Sequence, residues 1–371
     1  MKPMSKEETA IGARLYLALL IIPVLGYGLM NMPHYAARTM GANGYLAELI
    51  AGLIVLPGIA AIYFLARRFP GQTIIEQGVG ILGNLPGRMT GLVYTVNSLI
   101  ILTMFTRDTV NLVNVYFLNR SPLYAIAMIL LIFSAFAASQ GIEALAKLNS
   151  FLLIPALLVL FLLTAFGFQN VNWINVLPVT SPNLHDYFKG GMTVVYIYYL
   201  FGATAMTLPF LKPIKRYPRL VGGALLFTAV FFAVYAFGAI GVFGDTFLYR
   251  YAWPSLEFVR TIDHPFLFLE QSGLLMLIDW VTMIVAGTAY LYYAVALGSS
   301  RLTGTLNYKW WVLILFPVKL VMVLLPRTVS ESKMVIDQIV KYGWIMLFGY
   351  PIFLLLLAIV LRRKGESDNG S

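Results

Sequence analysis

Long apolar runs separated by short polar loops make up almost the whole chain. A helix needs about 20 mainly apolar residues to cross the hydrocarbon layer of a membrane, and lipid offers no partner to unpaired backbone amides. The pattern therefore predicts an all-α polytopic membrane protein with ten transmembrane helices. The predicted spans are 11–39, 43–66, 89–117, 121–139, 142–167, 184–211, 217–243, 268–298, 307–326 and 336–361.

The first run could instead be a signal peptide, because it has a basic start followed by an apolar stretch. No small-residue cleavage site follows it, however, and nine further spans do. We therefore interpret it as the first span.

Composition and charge agree with a membrane protein. Apolar residues make up 60% of the 371 residues, charged residues only 11%, and the mean hydropathy is +0.81. Lys and Arg are concentrated in one set of loops, which the positive-inside rule assigns to the cytoplasm together with both termini. This asymmetry and contact with anionic lipid account for the net charge of +10. A nucleic-acid partner is not expected, because no basic cluster is interleaved with stacking aromatic residues.

Metal, cofactor and enzyme chemistry have little support in the sequence. Cysteine is absent, and the three histidines have no ligand spacing, so neither a metal nor another cofactor is expected. No nucleophile with a nearby base stands out, which makes an intramembrane enzyme the weakest interpretation.

Two segments of the chain repeat a helix-breaking pattern. GYGLMNMP (26–33) aligns without a gap with GATAMTLP (202–209), matching a Gly, a Met and a Pro. Each segment lies in the first span of a set of five, and because five is odd, the second set starts from the opposite face of the membrane. This predicts a 5+5 inverted repeat of 11–167 and 184–361 within one transmembrane domain (1–371), followed by a cytoplasmic tail at 362–371.

Interrupted helices at matching positions predict a central binding site. Unwound backbone at mid-membrane needs partners, and a half-helix N-terminus can supply amides to a carboxylate while freed carbonyls bind a cation. The alternative is that the glycines only permit close helix packing. The predicted ligand-binding residues are Gly26, Tyr27, Gly28, Tyr199, Phe201, Gly202, Ala203 and Thr204.

Several ionisable or polar residues fall inside predicted spans, where they are costly and need partners. Thr103, Arg107, Asn111 and Asn114 recur at spacings of 4, 4 and 3, which places them on one helical face. A polar pathway is one interpretation, and an ion pair between Arg107 and Asp279 is the other. The predicted buried polar set is Arg107, Asp108, Asn111, Asp279 and Lys319, whereas Glu48 and Lys147 are expected to reach the membrane interface.

Four stretches resemble the endospore germination permeases, the membrane-embedded B-type subunits of nutrient germinant receptors. These stretches are RRFPGQTIIEQGVGILGNLPGRMTGLVY (67–94), NVLPV (175–179), LPFLKP (208–213) and WPSLEFVRTIDHPFLFLEQSGLLMLIDW (253–280). Such proteins belong to the amino acid/polyamine/organocation superfamily, so the resemblance implies a ten-helix fold with broken helices 1 and 6, as in LeuT. It also implies a spore inner membrane location, A-type and C-type partner subunits, and a small nutrient ligand, expected to be an amino acid.

The chain departs from the family pattern at two places. An acidic residue is common near the break of helix six, where this chain has YLFGATAM, and an Arg-x-Asp often follows the FLE stretch, where Gln271, Ser272 and Gly273 stand here. The first departure argues against a ligand that needs a helix-six carboxylate, and the second argues against a family-typical charge cluster at the mouth of helix eight. A receptor subunit that triggers germination is the main functional hypothesis, and an ion-coupled amino acid transporter is the alternative.

Overall fold

The protein is described by a computed structural model that covers residues 10–177, 183–248, 250–262, 272–305 and 307–365. Gln271 and tail residues 366–371 therefore lie outside the described residues. In chain order the α-helices are α1 (Ala13–Gly28), α2 (Met32–Met40), α3 (Tyr45–Arg68), α4 (Ile74–Leu82), α5 (Asn84–Tyr116), α6 (Leu123–Ser139), α7 (Ile142–Gly167), α8 (Leu184–Val194), α9 (Tyr199–Gly202), α10 (Thr204–Thr207), α11 (Tyr217–Phe243), α12 (Asp245–Leu248), α13 (Pro254–Arg260), α14 (Ser272–Thr303), α15 (Tyr308–Leu324), α16 (Val329–Trp344) and α17 (Tyr350–Val360).

Each of the ten predicted spans falls on helical segments, but the count of ten is not confirmed. Within the described ranges, seven helical stretches are long and apolar enough to cross a membrane, and the bent pair of α1 and α2 can supply an eighth. The remaining two predicted spans correspond to α6 and α15, which are 17 residues each.

Helix ends follow local chemistry that hydropathy does not report. The predicted spans 142–167 and 217–243 coincide with α7 and α11. The last span was predicted to start at residue 336, but α16 starts at Val329, where the Thr328 side chain caps the helix by accepting from the Glu331 amide at 3.1 Å. The first turns of α16 are polar, so an apolar window misses them.

The loop that follows α3 contains the short helix α4, which the sequence prediction missed. The side chain of Thr73 and that of Glu76 form a capping box, in which the Thr73 amide donates to Glu76 at 2.8 Å. The Thr-x-x-Glu spacing inside the RFPG-containing stretch was therefore a readable helix start.

The first broken helix bends by 64° between α1 and α2. Residues 29–31 form the break, and Pro33 stands in the first turn of α2, where its missing amide hydrogen does no harm. Gly26, Tyr27 and Gly28 were predicted to be unwound, but they form the last turn of α1. The break therefore lies just after the glycines.

The matching segment of the second half is broken into short turns rather than bent at one place. After α8 the chain forms a 3₁₀ turn at Val195–Tyr198, then α9 and α10, then a second 3₁₀ turn at Leu208–Phe210. We call this series, 195–210, the interrupted segment. Such irregular backbone is stable at membrane depth only where protein or a ligand surrounds it.

One end of the bundle joins the two broken helices. The Ile11 amide donates to the Phe210 carbonyl at 2.8 Å, and the Lys212 amide donates to the Ile11 carbonyl at 3.2 Å. Deeper in, the Thr207 hydroxyl lies 2.9 Å from the Tyr290 hydroxyl and 3.3 Å from that of Tyr16. These bonds hold the chain just before α1 against the end of the interrupted segment.

Candidate binding site at the two broken helices

Carbonyls at the end of α1 are bound by side chains from other elements. The Trp280 indole N–H on α14 donates to the Gly26 carbonyl at 2.7 Å, and the Ser255 hydroxyl on α13 donates to the Leu29 carbonyl. Backbone acceptors freed by a broken helix need such partners in a membrane. Side chains of the protein therefore supply some of the hydrogen-bond donors that a ligand was expected to offer to the freed carbonyls.

A carboxyl group on α5 reaches the break. One oxygen of Asp108 accepts from the Asn31 side-chain amide at 2.5 Å, and the other accepts from the Trp253 indole N–H at 3.2 Å. Asn31 lies in the break, and Trp253 immediately precedes α13. Asp108 therefore connects the break to the helix that covers it.

The predicted glycines Gly26 and Gly28 are positions of close packing. A Cβ at Gly26 would lie 3.0 Å from the backbone carbon of Met283 on α14. A Cβ at Gly28 would lie 2.5 Å from the ring of Phe232 on α11 and 3.2 Å from Ile197 in the interrupted segment. The packing interpretation therefore accounts for both glycines, and the contact with Ile197 also brings the two broken helices together.

Tyr27 lies between α14 and α5. Its hydroxyl is 2.7 Å from the Thr288 hydroxyl, and its ring centroid is 4.5 Å from that of Phe105. Both the ring and the hydroxyl of this predicted ligand residue are held in a fixed position by protein contacts.

The predicted residues of the interrupted segment face different neighbours. Tyr199 donates to the Ile339 carbonyl on α16 at 3.0 Å, and Phe201 stacks on Tyr198 with 6.2 Å between centroids. The Thr204 hydroxyl lies 2.7 Å from that of Tyr217 on α11. Only part of the predicted set therefore faces α1.

Gly202 and Ala203 face α5, where a small cavity is present. The Tyr94 hydroxyl on α5 donates to the Gly202 carbonyl at 2.9 Å. Ala203 lines a cavity of about 10 Å³ together with Tyr94, Thr95 and Ser98. Space of this size is at the lower limit for one water molecule.

The polar face of α5 packs against α15 and α16. Arg107 donates to the Val323 carbonyl at 3.0 Å, and the Asn111 amide donates to the Ser332 hydroxyl at 2.8 Å. These two bonds tie the face to neighbouring helices and favour a structural role over a polar pathway, although the buried Nε of Arg107 has no hydrogen-bond partner among the described residues.

The expected ion pair between Arg107 and Asp279 is wrong, since the ion pairs of the described residues do not include it. Asp279 has one buried oxygen without a hydrogen-bond partner. Lys319 is fully buried, its Nζ has no hydrogen-bond partner, and it lies 4.8 Å from the centroid of the Tyr292 ring. Arg107, Asp279 and Lys319 therefore have different neighbours and do not share one ion pair.

Lys147 and Glu48, the two residues expected at the membrane interface, differ in their exposure. Lys147 is exposed and pairs with Glu143 at 2.7 Å on the same helix. Glu48 is completely buried, and neither of its carboxyl oxygens has a hydrogen-bond partner. The prediction for Glu48 is wrong because the interrupted segment, which hydropathy cannot place, covers it.

Sequence reasoning also missed the role of α13. Its WPSLE stretch supplies Trp253 to Asp108 and Ser255 to the break, and Glu257 accepts from the Tyr116 hydroxyl of α5 at 2.7 Å. Pro254 starts the helix. The motif was visible in the sequence, but its contacts depend on the tertiary fold.

Comparison with known proteins agrees with this architecture. A sequence model described as "Spore germination protein" matches residues 11–332. Spore germination protein YndE of Bacillus subtilis (strain 168) is 22% identical over 368 residues, covering 98% of this chain and 99% of that protein. Spore germination protein B2 of the same strain is 17% identical over 367 residues, covering 98% and 100%.

Solved structures show the same fold. The crystal structure of MhsT in complex with L-phenylalanine superimposes with a TM-score of 0.68 at 12% identity, covering 98% of this chain and 91% of MhsT. Mhp1, a nucleobase-cation-symport-1 family transporter, gives 0.65 at 12% identity, covering 93% and 79%. The fold is thus that of LeuT-like transporters, and the match across residues 11–332 shows that the chain belongs to the spore germination protein family.

Proposed function

We propose that this chain is the ligand-binding membrane subunit of a receptor through which a spore detects a small nutrient, an amino acid being the expected class. The observation that carries the proposal is the close approach of the two broken helices, where a Cβ at Gly28 would lie 3.2 Å from Ile197, in a chain of the spore germination family. Ligand binding beside this approach would shift the balance between closed and open arrangements.

The site offers backbone and hydroxyl groups rather than charges. Thr204 and Tyr217 form a buried hydroxyl pair beside the interrupted segment, and Tyr27 pairs with Thr288 across from it. The break nevertheless includes a carboxyl oxygen of Asp108, reached through Asn31. Hydroxyls and freed backbone groups suit the ammonium and carboxylate of a free amino acid.

The location, orientation and partners complete the proposal. The chain lies in the inner membrane of the spore with both termini in the cytoplasm, and A-type and C-type subunits assemble with it.

An ion-coupled amino acid transporter is the second candidate. The fold is shared with MhsT, which was solved in complex with L-phenylalanine, and with the transporter Mhp1. Binding and transport differ in whether solute accumulates, so they are separable by experiment.

Binding and transport are tested on the purified full chain. A panel of L-amino acids including L-phenylalanine is screened by isothermal titration calorimetry, and binders are assayed for uptake in proteoliposomes under proton and sodium gradients. Thr204→Val should weaken binding, whereas Tyr217→Phe, which leaves the Thr204 hydroxyl in place, should weaken it less. Binding without accumulation supports the receptor, accumulation supports the transporter, and no binding by any amino acid contradicts the proposed ligand class.

A further inference from the structure

Glu48 is a buried acid that the proposed ligand site does not use. It lies in the first turn of α3, is 0% exposed, and neither of its carboxyl oxygens has a hydrogen-bond partner among the described residues. A buried polar group usually has such a partner, so this carboxyl group requires an explanation.

The interrupted segment covers this carboxyl group. The Tyr198 hydroxyl donates to the main-chain carbonyl of Glu48 at 3.0 Å, which fixes the 3₁₀ turn on α3. The Tyr196 hydroxyl in the same turn is also buried and has no hydrogen-bond partner. A second polar group without a hydrogen-bond partner among the described residues therefore lies in the same turn, and its ring packs against Tyr35 of α2 and Phe105 of α5.

No cation compensates the carboxyl group within the part of the chain that the structure describes. The titratable groups on the elements packed around this end of α3 are His34, Tyr35 and Arg38 on α2, His185, Asp186, Tyr187 and Lys189 on α8, Tyr196 and Tyr198 in the 3₁₀ turn, Tyr235 on α11 and Asp337 on α16. None of the basic residues among them forms an ion pair with Glu48.

The physical consequence concerns which form of Glu48 fits the arrangement in which the interrupted segment covers it, which we call the closed arrangement. An ionised carboxylate without a hydrogen bond, a counter-ion or water has a very large desolvation cost, whereas the neutral acid has a far smaller one. The closed arrangement therefore accommodates Glu48 with a proton, and losing that proton requires water to reach the interface.

We propose that Glu48 is a proton-binding site that couples protonation to the contact between α3 and the interrupted segment. In the closed arrangement the O–H bond is intact. When the interface opens, that bond breaks, the proton passes to water, and the carboxylate stays hydrated until the interface closes again.

The 3₁₀ turn over Glu48 continues directly into Tyr199–Gly202, so opening at Glu48 displaces the backbone next to the proposed ligand site. The proton site itself does not depend on the identity of the ligand. It is therefore testable without any nutrient, and its failure would leave the proposed function untouched.

Infrared spectroscopy of the full chain in lipid tests proton binding directly. The C=O stretching band of a protonated carboxylic acid should be present at neutral pH and decrease at alkaline pH, and Glu48→Gln should lose that component. Glu143→Gln, which changes an exposed ion-paired glutamate, should retain it. A Glu48→Gln spectrum identical to that of the unchanged protein at every pH would overturn the proposal.

Hydrogen exchange then tests the coupling. Peptides covering 44–52 and 194–202 should exchange faster, beyond the intrinsic effect of pH, over the same pH range in which the infrared band decreases. Glu48→Gln should abolish this extra pH dependence. If the Glu48→Gln protein does not fold, Glu48→Met is used in its place. The coupling would be contradicted if hydrogen exchange kept its extra pH dependence in the folded Glu48 variant, or if the infrared band did not change with pH. Glu48 would then be a fixed structural acid.

Discussion

The side-chain amide of Asn31, in the break between α1 and α2, donates a hydrogen bond of 2.5 Å to Asp108 inside α5. The second oxygen of Asp108 accepts from the Trp253 indole, so one buried carboxyl group holds both the broken helix and the segment that leads into α13. Opening the site on this side must separate these groups.

Replacing Asp108 should destabilise the closed structure. Asp108→Leu leaves the buried Trp253 donor and the half-buried Asn31 donor without an acceptor, at up to about 1–3 kcal/mol for each, whereas Asp108→Asn retains an acceptor and should lose less. The measurement is equilibrium unfolding in detergent, with Glu143→Gln as the exposed acidic control. In a double-mutant cycle, Asn31→Ala should then cost less in the Asp108→Leu background than alone. Equal costs in both backgrounds would show that the two residues act independently.

Gly28 should not tolerate even one methyl group. Its Cβ would lie 2.5 Å from the Phe232 ring, so Gly28→Ala should cost about 1–3 kcal/mol of stability through overpacking. Phe232→Leu should recover part of the loss by shortening the opposing side chain. Melting temperature and folded yield are the measurements, and Gly222→Ala on α11 is the control because a Cβ there meets nothing within 4 Å. An unaffected Gly28→Ala protein would contradict this packing.

Local patterns predicted most of the long helices, but not the partners of the buried polar residues. The apolar runs predicted both ends of α7 and α11 to the residue. The Gly and Pro residues predicted the position of the first break to within about one turn. By contrast, Arg107 was assigned to Asp279 because both are charged, whereas a carbonyl on α15 is its partner. Partner choice depends on helix rotation and on which backbone groups a broken helix frees, and neither follows from spacing along one chain.

The proposed orientation predicts a labelling pattern. The chain has no cysteine, so single cysteines at exposed loop positions report sidedness. Asn119→Cys should react with an impermeant maleimide in intact cells, and Gln140→Cys should react only after the membrane is permeabilised. Full reaction of denatured protein controls for thiol integrity, and reversed labelling would contradict the orientation.

Lys319 and Arg107 are both buried cations, yet they should respond oppositely to neutralisation. Among the described residues the Lys319 amine has no hydrogen-bond partner and no counter-ion, and it lies 4.8 Å from the centroid of the Tyr292 ring, so the burial of this basic group is poorly compensated. Methionine has a similar length and packs well on aromatic rings, so Lys319→Met should be as stable as the unchanged protein or more stable. Arg107 donates to the Val323 carbonyl, and Arg107→Met removes that bond and leaves a buried acceptor, at about 1–3 kcal/mol. The measurement is the free energy of unfolding of both variants in detergent, with Lys147→Met at an exposed position as the control. A large loss in Lys319→Met would mean that its amine has a compensating partner in the folded protein.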